Sequence, residues 1–140
     1  MQVSYSAESV LDSTLPRDDL RVLLVYPNTR DVAMANLGFQ QVYSLLNKIE
    51  GVICDRFAMP VGWKPETQYL EREELRSMDL QMHPLEFDVI AFSISFEPDY
   101  LNTVLALKYF GIPVDRKERD ASCPMITAGG SAIFINPEPL

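Results

Sequence analysis

The sequence contains short runs of apolar residues that alternate with stretches of helical periodicity, and this alternation limits the folds open to the chain. Residues 21–26 form one such run, which Pro27 closes, and residues 87–95 form another. Because apolar residues follow one another in these runs, each predicts a strand buried on both faces, as in a parallel sheet covered by helices. Residues 125–128 predict another strand, and the more polar residues 52–57 predict a strand at a sheet edge.

Apolar residues at helical spacing predict a helix between the first two strands. After a polar loop at residues 28–36, Asn36 is expected to cap this helix and Gly51 to follow its end. The apolar stripe of the helix consists of Phe39, Val42, Leu45, Leu46 and Ile49.

A second helix is predicted after the third strand. Pro98 is expected at its first position, where a missing N–H does no harm, and Gly111 and Pro113 are expected to end it. The apolar face consists of Leu101, Val104, Leu105, Leu107 and Phe110. The acidic residues 63–78 predict only one or two helical turns, and no element is predicted for residues 75–84.

The alternation of strands and helices predicts the fold class. It favours an α/β domain of flavodoxin-like (Rossmann-like) type, with three layers and a mostly parallel sheet. Right-handed crossovers would place the second strand outside the first, and the third strand on its other side. Residues 1–20 are expected to form a loosely held arm with a short helix at 6–15, and residues 21–140 the domain. No fifth strand–helix unit is predicted, so the chain is expected to be a fragment of a longer protein.

Charge and composition exclude several classes of function. The 12 Lys and Arg residues stand against 20 Asp and Glu, a net charge of −8. An acidic surface repels nucleic acid and anionic lipid, and no apolar run approaches the ~20 residues of a membrane span. Cys54 and Cys123, with one histidine, cannot form a structural zinc site, and they are interpreted as reduced thiols of a cytoplasmic protein.

Candidate binding residues follow from the predicted fold. In a sheet of this type, ligands bind beyond the carboxyl ends of the strands, near the point where the strand order reverses. The predicted cofactor-binding residues after the first, third and fourth strands are Asn28, Thr29, Ser93, Ser95, Glu97, Gly129, Gly130 and Ser131. Their amides, hydroxyls and backbone donors suit a bulky polar cofactor but not acid–base chemistry, so no catalytic residue and no metal ligand is predicted.

Each candidate also has a purely structural interpretation. The two glycines can form a tight turn, and the two serines can satisfy backbone groups at a strand end. Glu97 can cap the following helix, where negative charge suits the helix dipole. His83 is interpreted as structural, and Cys54 as a packed, inert thiol.

Several strings, in order, carry a likeness to a known family. They are YPNT at residues 26–29, MANLGFQ at 34–40, LLN at 45–47, FDVIAFS at 87–93, GIP at 111–113, AGG at 128–130 and NPEPL at 136–140. From about residue 21 to its end, the chain resembles the N-terminal cobalamin-binding-like domain of radical S-adenosylmethionine (radical SAM) proteins. The likeness is to the branch that lacks the cobalt-ligating histidine of the DxHxxG motif, since residues 28–34 contain no histidine.

The resemblance implies a cofactor and a partner domain. It implies that cobalamin is held at the predicted strand ends without a histidine ligand. It further implies that a radical SAM barrel of the same polypeptide, with a CxxxCxxC motif, holds a [4Fe-4S] cluster and S-adenosylmethionine in a missing C-terminal part.

The expected function is therefore a cofactor-binding (cobalamin-type) or substrate-gating domain of a radical SAM iron–sulfur enzyme, without activity of its own. One alternative is a degenerate docking platform for the barrel that binds no cobalamin. Another is a free-standing flavodoxin-like signalling or flavin-binding module. Self-association is expected if the apolar surface that would face the barrel is exposed.

Overall fold

The computed structural model describes residues 19–65, 70–136 and 138. Residues 1–18 of the predicted N-terminal arm, with its helix at residues 6–15, lie outside the described residues. The strands are β1 (Leu20–Thr29), β2 (Val52–Met59), β3 (Val89–Ser93) and β4 (Met125–Gly129). The helices are α1 (Arg30–Ala35), α2 (Leu37–Asn47), α3 (Asp99–Phe110) and α4 (Ser131–Ile135), with 3-10 turns at Arg72–Glu74, Pro84–Glu86 and Arg116–Glu118.

The four strands form one parallel sheet in the order β2-β1-β3-β4. This confirms the predicted α/β, flavodoxin-like class and the edge position of β2. Because all strands run the same way, their carboxyl ends meet at one edge of the sheet. The chain leaves β1 towards β2 on one side and β3 towards β4 on the other, so the reversal of strand order lies between β1 and β3.

Strand β1 is covered on both faces. Val22 and Leu24 belong to a buried cluster that includes residues of α1 and α2. Leu23 and Val25 belong to the opposite cluster, which includes residues of α3. The continuous apolar run of β1 therefore reflects burial on two faces, as its sequence predicts.

The end of β1 differs from the prediction. Pro27 does not close the strand, which continues to Thr29 through a register shift between Tyr26 and Thr29. At such an irregularity a residue is left out of the ladder, so the missing N–H of proline is tolerated. The predicted polar loop at residues 28–36 is also wrong, because residues 30–35 form α1, whose Ala33 packs in the core.

Helix α2 begins as predicted but buries a different face. The Asn36 side chain accepts a hydrogen bond from the Phe39 backbone N–H, which confirms the cap. Phe39 is buried, with Tyr43 and Leu46 packed beside it. The remaining stripe residues are exposed instead of buried, which corrects the prediction: Val42, Leu45 and Ile49. They lie outside the line of contact with the sheet, along which Phe39, Tyr43 and Leu46 pack.

Helix α3 is also shifted relative to the prediction. Pro98 is the residue before the helix instead of its first position, and Gly111 ends it with a φ of 77°. Leu101 does not belong to the core, since it is 65% exposed. The buried residues of the helix are Asp99, Tyr100, Thr103, Ala106, Leu107 and Phe110.

The segment that precedes β3 packs along the edge strand β2. Asp55 is fully buried, and its carboxylate accepts hydrogen bonds from the backbone N–H groups of Asp79 and Leu80. The Met78 N–H donates to the Arg56 carbonyl, with N and O 2.8 Å apart. This segment thus covers part of an edge that would otherwise be open to other strands.

Strand β4 is the least covered element of the sheet. Four of its five residues are exposed, and only Ile126 is half-buried. Within the described part of the chain, no helix is long and apolar enough to cross a membrane.

Candidate functional site

The reversal point between β1 and β3 gathers polar side chains from distant parts of the sequence. Asn28, in the last residues of β1, donates from Nδ2 to Oδ1 of Asp99, at 3.1 Å. Asn36 donates from Nδ2 to Oγ of Ser95 at 3.4 Å, and to the buried Tyr26 hydroxyl at 3.5 Å. These bonds connect the segments that follow β1 and β3, so the site is built on two neighbouring strand ends.

Asp99 is the most unusual group of this site. It is only 1% exposed, although it is the first residue of α3. Burial raises the pKa of its carboxyl above the ordinary value, and hydrogen bonds from the side chains of Asn28 and Asn102 and from the Phe96 backbone oppose that rise. Its Oδ2 atom is buried and has no hydrogen-bond partner among the described residues.

The predicted residues after β1 differ in their roles. Asn28 points its amide nitrogen at Asp99 and its Oδ1 accepts from the Thr29 backbone N–H at 2.8 Å. Thr29 precedes α1, and its side chain bonds to Asp31, which lowers the pKa of that carboxyl. Asn28 is thus held in one orientation, while the Thr29 side chain bonds to the first turn of α1.

The residues after β3 also differ in their burial and in their partners. Ser93 pairs with Gly129 in the sheet and is half-buried. Ser95 is half-buried and accepts the bond from Asn36. Glu97 is exposed, and the acidic residue in the first turn of α3 is Asp99.

The loop after β4 is attached to the loop after β3. The Ile94 N–H donates to the Gly129 carbonyl at 2.8 Å, and the Ala132 N–H donates to the Ile94 carbonyl at 3.1 Å. Gly130 has a φ of 113°, and a Cβ there would lie 2.4 Å from the Ile94 oxygen. Gly130 is therefore required by the fold itself, in line with its structural interpretation.

The surroundings of Gly129 differ from those of Gly130. A Cβ on Gly129 would have no atom within 4 Å, so the space beside its backbone is open. Gly129 is exposed at the end of β4, as is Ser131 at the start of α4. An open backbone at a strand end lets a flat ligand approach closely.

Sequence reasoning missed two residues of this site. The sequence predicts only a capping role for Asn36, but its Oδ1 caps α2 while its Nδ2 donates to Ser95. The sequence also points to Glu97 and not to Asp99. An aspartate directly after a proline that precedes a helix is an available signal, but its burial depends on contact with Asn28, 71 residues away.

His83 lies at the other end of the sheet. Its Nδ1 accepts from the Leu85 N–H at 3.1 Å, as the cap of the 3-10 turn Pro84–Glu86. It also borders a cavity of about 360 Å³ next to Phe110 and Gly111, where α3 ends. Since α3 starts beyond the carboxyl end of β3 and runs back along the sheet, this imidazole is remote from the strand-end site.

No arrangement of three or more His, Cys, Asp or Glu side chains in residues 19–65 and 70–136 could hold a metal ion. Cys54 is buried, and burial, with the nearby Asp55 charge, raises the pKa of its thiol to about 12. A thiol in that state is protonated at neutral pH and is not a nucleophile.

Comparison with known proteins identifies one family. The family model described as "Radical SAM proteins, N-terminal" matches residues 38–140, which include α2 and the elements from β2 to α4. Neither the curated proteins nor the solved structures contain a match to the chain.

Proposed function

Because the chain belongs to the family of N-terminal domains of radical SAM proteins, we propose that it is a cofactor-binding domain of cobalamin type. In this proposal a corrinoid binds at the carboxyl ends of β1, β3 and β4, and the domain has no catalytic activity of its own. The family match does not favour the alternative of a free-standing signalling or flavin module.

The observation that carries the proposal is the open Gly129 backbone beside the polar groups of the reversal point. The rim of a corrin bears carboxamide side chains, which need both hydrogen-bond donors and acceptors. Asn28, Asn36 and Ser95 offer amide and hydroxyl groups at this edge of the sheet. The residues present therefore fit a carboxamide-bearing ring whose face approaches a backbone without a side chain.

Bound cobalamin would supply a cobalt ion able to carry an alkyl group or an electron. The chain would bind and orient the ring and exclude water from it. No histidine lies in the segment that links β1 to α2, and His83 serves a turn at the far end of the sheet. The proposal therefore assigns no protein imidazole to the cobalt. The [4Fe-4S] cluster and S-adenosylmethionine would be held by a radical SAM barrel of the same polypeptide.

Replacement of Gly129 tests this function. Gly129→Val would fill the open space beside the backbone, so we expect at least a tenfold loss of affinity for hydroxocobalamin in an absorbance titration of the full-length protein. The unfolding temperature should not fall, because a Cβ at this position meets no atom within 4 Å.

Two results would contradict the proposal. A wild-type protein that binds no corrinoid would remove the cobalamin-type function altogether. A Gly129→Val variant that binds as tightly as the wild type would move the site away from β4. As a matched control we use Met125→Val at the opposite end of the same strand, which should leave binding unchanged.

A second candidate function is that of a docking platform for the barrel, without a cofactor. The exposed apolar side chains of β4 and α4 favour it, since Met125 is 65%, Phe134 93% and Ile135 78% exposed. Exposed apolar side chains such as these are typical of a surface that another domain covers. The occupant in this case would be the radical SAM barrel of the same polypeptide.

Amide hydrogen exchange of the full-length protein tests the docking platform. We expect residues 125–135 to exchange slowly, and to exchange faster when Phe134 and Ile135 are both replaced by serine. Fast exchange in the wild type would show that no domain covers this surface. The two candidate functions are separated by the corrinoid titration, which only the first predicts to be positive.

A further inference from the structure

Two aspartates of the described residues are buried, and their carboxylates differ in how completely they are hydrogen-bonded. Asp55 is fully buried, and backbone N–H groups donate to both of its oxygens: Arg56 and Asp79 to Oδ1, and Asp79 and Leu80 to Oδ2. Asp99 is 1% exposed; the side-chain amides of Asn28 and Asn102 donate to its Oδ1, and its buried Oδ2 has no hydrogen-bond partner among the described residues. Buried carboxylate oxygens nearly always have partners, so a single unbonded one needs an explanation.

The bonded half of Asp99 is held in place by the site itself. Asn28 donates to Oδ1 at 3.1 Å, and Asn102, one helical turn further along α3, donates to the same atom at 3.4 Å. Asn28 is fixed in turn by the Thr29 N–H, which bonds to its other amide atom. Asn28 is thus a positioning residue, which sets the plane of the Asp99 carboxylate at the reversal point.

The charge around Asp99 limits what the unbonded oxygen can bind. Within the described residues, the one ion pair joins Arg56 to Asp79, so no described cation is paired with Asp99. No cluster of ligands for a metal ion is present in the same part of the chain. A carboxylate oxygen repels anions and accepts N–H or O–H donors. A neutral donor such as a primary carboxamide satisfies the oxygen without adding a charge to a buried place.

We propose that Oδ2 of Asp99 accepts a hydrogen bond from a carboxamide N–H of the bound ligand, and that Asp99 thereby selects amide-bearing corrinoids. The inference rests on the proposed function, and it names the group that recognises the rim of the ring. A ligand whose side chains are esters lacks the N–H and leaves the buried oxygen unpaired, which weakens its binding.

The test compares two cobalt corrinoids with the full-length protein. One is dicyanocobinamide, which bears carboxamides, and the other is dicyanocobyrinic acid heptamethyl ester, which bears none. We expect wild-type protein to bind the amide compound at least tenfold more tightly than the ester. In Asp99→Asn the acceptor oxygen becomes an N–H₂ donor, so the preference should fall to about twofold or less.

The unfolding temperature distinguishes a ligand-binding Asp99 from a purely structural one. If Oδ2 serves a ligand, Asp99→Asn should not lower the unfolding temperature of the ligand-free protein. The matched control is Asp55→Asn, which should lower that temperature, because its new N–H₂ group would face two backbone N–H donors.

Each outcome decides the inference. Equal binding of both corrinoids by the wild type, or an unchanged preference in Asp99→Asn, overturns the role of Asp99 and leaves the proposed function standing. A loss of stability in Asp99→Asn as large as in Asp55→Asn makes Asp99 a structural residue and also overturns it. Absence of binding to either compound by the wild type removes the proposed function and the inference with it.

Discussion

At the scale of single residues, the buried Asp55 and Asp99 differ in how completely their carboxylates are hydrogen-bonded. Asp55 holds a loop against the edge strand with its full set of bonds. Asp99 keeps one buried oxygen without a described partner at the reversal point of the sheet. Both are aspartates next to hydrophobic segments, and only their surroundings in the folded chain distinguish them.

The raised pKa of Asp99 predicts a specific dependence of stability on pH. Burial raises the pKa of this carboxyl above its ordinary value of 3.8 in the folded state. The folded protein therefore binds more protons than the unfolded one in this range. The contribution of Asp99 is fully favourable below pH 3.8, and it is lost as the pH rises through the raised, folded-state value.

Urea unfolding as a function of pH measures this contribution. We expect the unfolding free energy of Asp99→Asn, relative to wild type, to increase as the pH rises from 3 to 7, because asparagine carries no charge to bury. A difference that stays constant with pH would show that the Asp99 pKa is the same in both states. Asp120→Asn serves as the contrasting variant and should show the opposite trend, because hydrogen bonds from Ser122 lower the pKa of the Asp120 carboxyl in the folded state.

At the scale of elements, backbone hydrogen bonds join the loops after β3 and β4, and the close approach of these loops requires a glycine at position 130. The loops after β3 and β4 are held together by the bonds of Ile94 to Gly129 and Ala132. Gly130 lies between those two residues with a left-handed φ of 113°. The two glycines of one dipeptide thus have different structural roles: the fold requires Gly130, whereas Gly129 leaves open space beside the backbone.

Substitution of the two glycines by alanine should separate these roles. Gly130→Ala should lower the unfolding free energy by more than ~1 kcal/mol, because its φ is unfavourable for alanine and its Cβ would lie 2.4 Å from the Ile94 oxygen. Gly129→Ala should change it by less than ~0.5 kcal/mol. Chemical denaturation of both variants measures the difference, and equal losses would contradict this assignment.

At the scale of the whole molecule, the sheet places its histidine and its candidate site at opposite ends. His83 caps a turn beside the end of α3, whereas Asn28, Ser95 and Asp99 follow the carboxyl ends of the strands. In a parallel sheet, all loops that follow strands lie at the same edge, so a turn directly before β3 lies at the opposite edge. A ligand at the site would then meet amides, hydroxyls and a carboxylate, but no imidazole.

We therefore predict that the cobalt of a bound corrinoid has no nitrogen ligand from this chain. The electron paramagnetic resonance spectrum of reduced, Co(II) cobinamide in the full-length protein should show no nitrogen superhyperfine splitting, because cobinamide carries no base of its own. His83→Ala should leave the spectrum and the affinity unchanged. It should lower stability by about 0.5–2 kcal/mol through loss of the cap, and His83→Asn should restore part of that loss. Nitrogen splitting that disappears in His83→Ala would contradict the prediction.

The sequence by itself determined the elements that local patterns specify. Its continuous apolar runs predicted β1 and β3, because a strand buried on two faces must be apolar throughout. Residues 52–57 and 125–128 predicted the other two strands, and the strand order followed from the handedness of crossovers. Asn36 as a cap and Gly111 as a helix end were predicted because their geometry is local. The sequence also predicts the strand-end loops as the candidate site, because all strands of a parallel sheet end at one carboxyl edge.

Only the tertiary structure decided which residues those elements bury. The exposed Leu45 and the buried Phe39 belong to one predicted stripe, and the width of contact with the sheet decides between them. The register shift after Tyr26 allows β1 to pass through Pro27. Asp99 is buried where its Oδ1 meets Asn28, which is far away in the sequence. Such contacts depend on how distant segments meet, which no periodicity within a segment encodes.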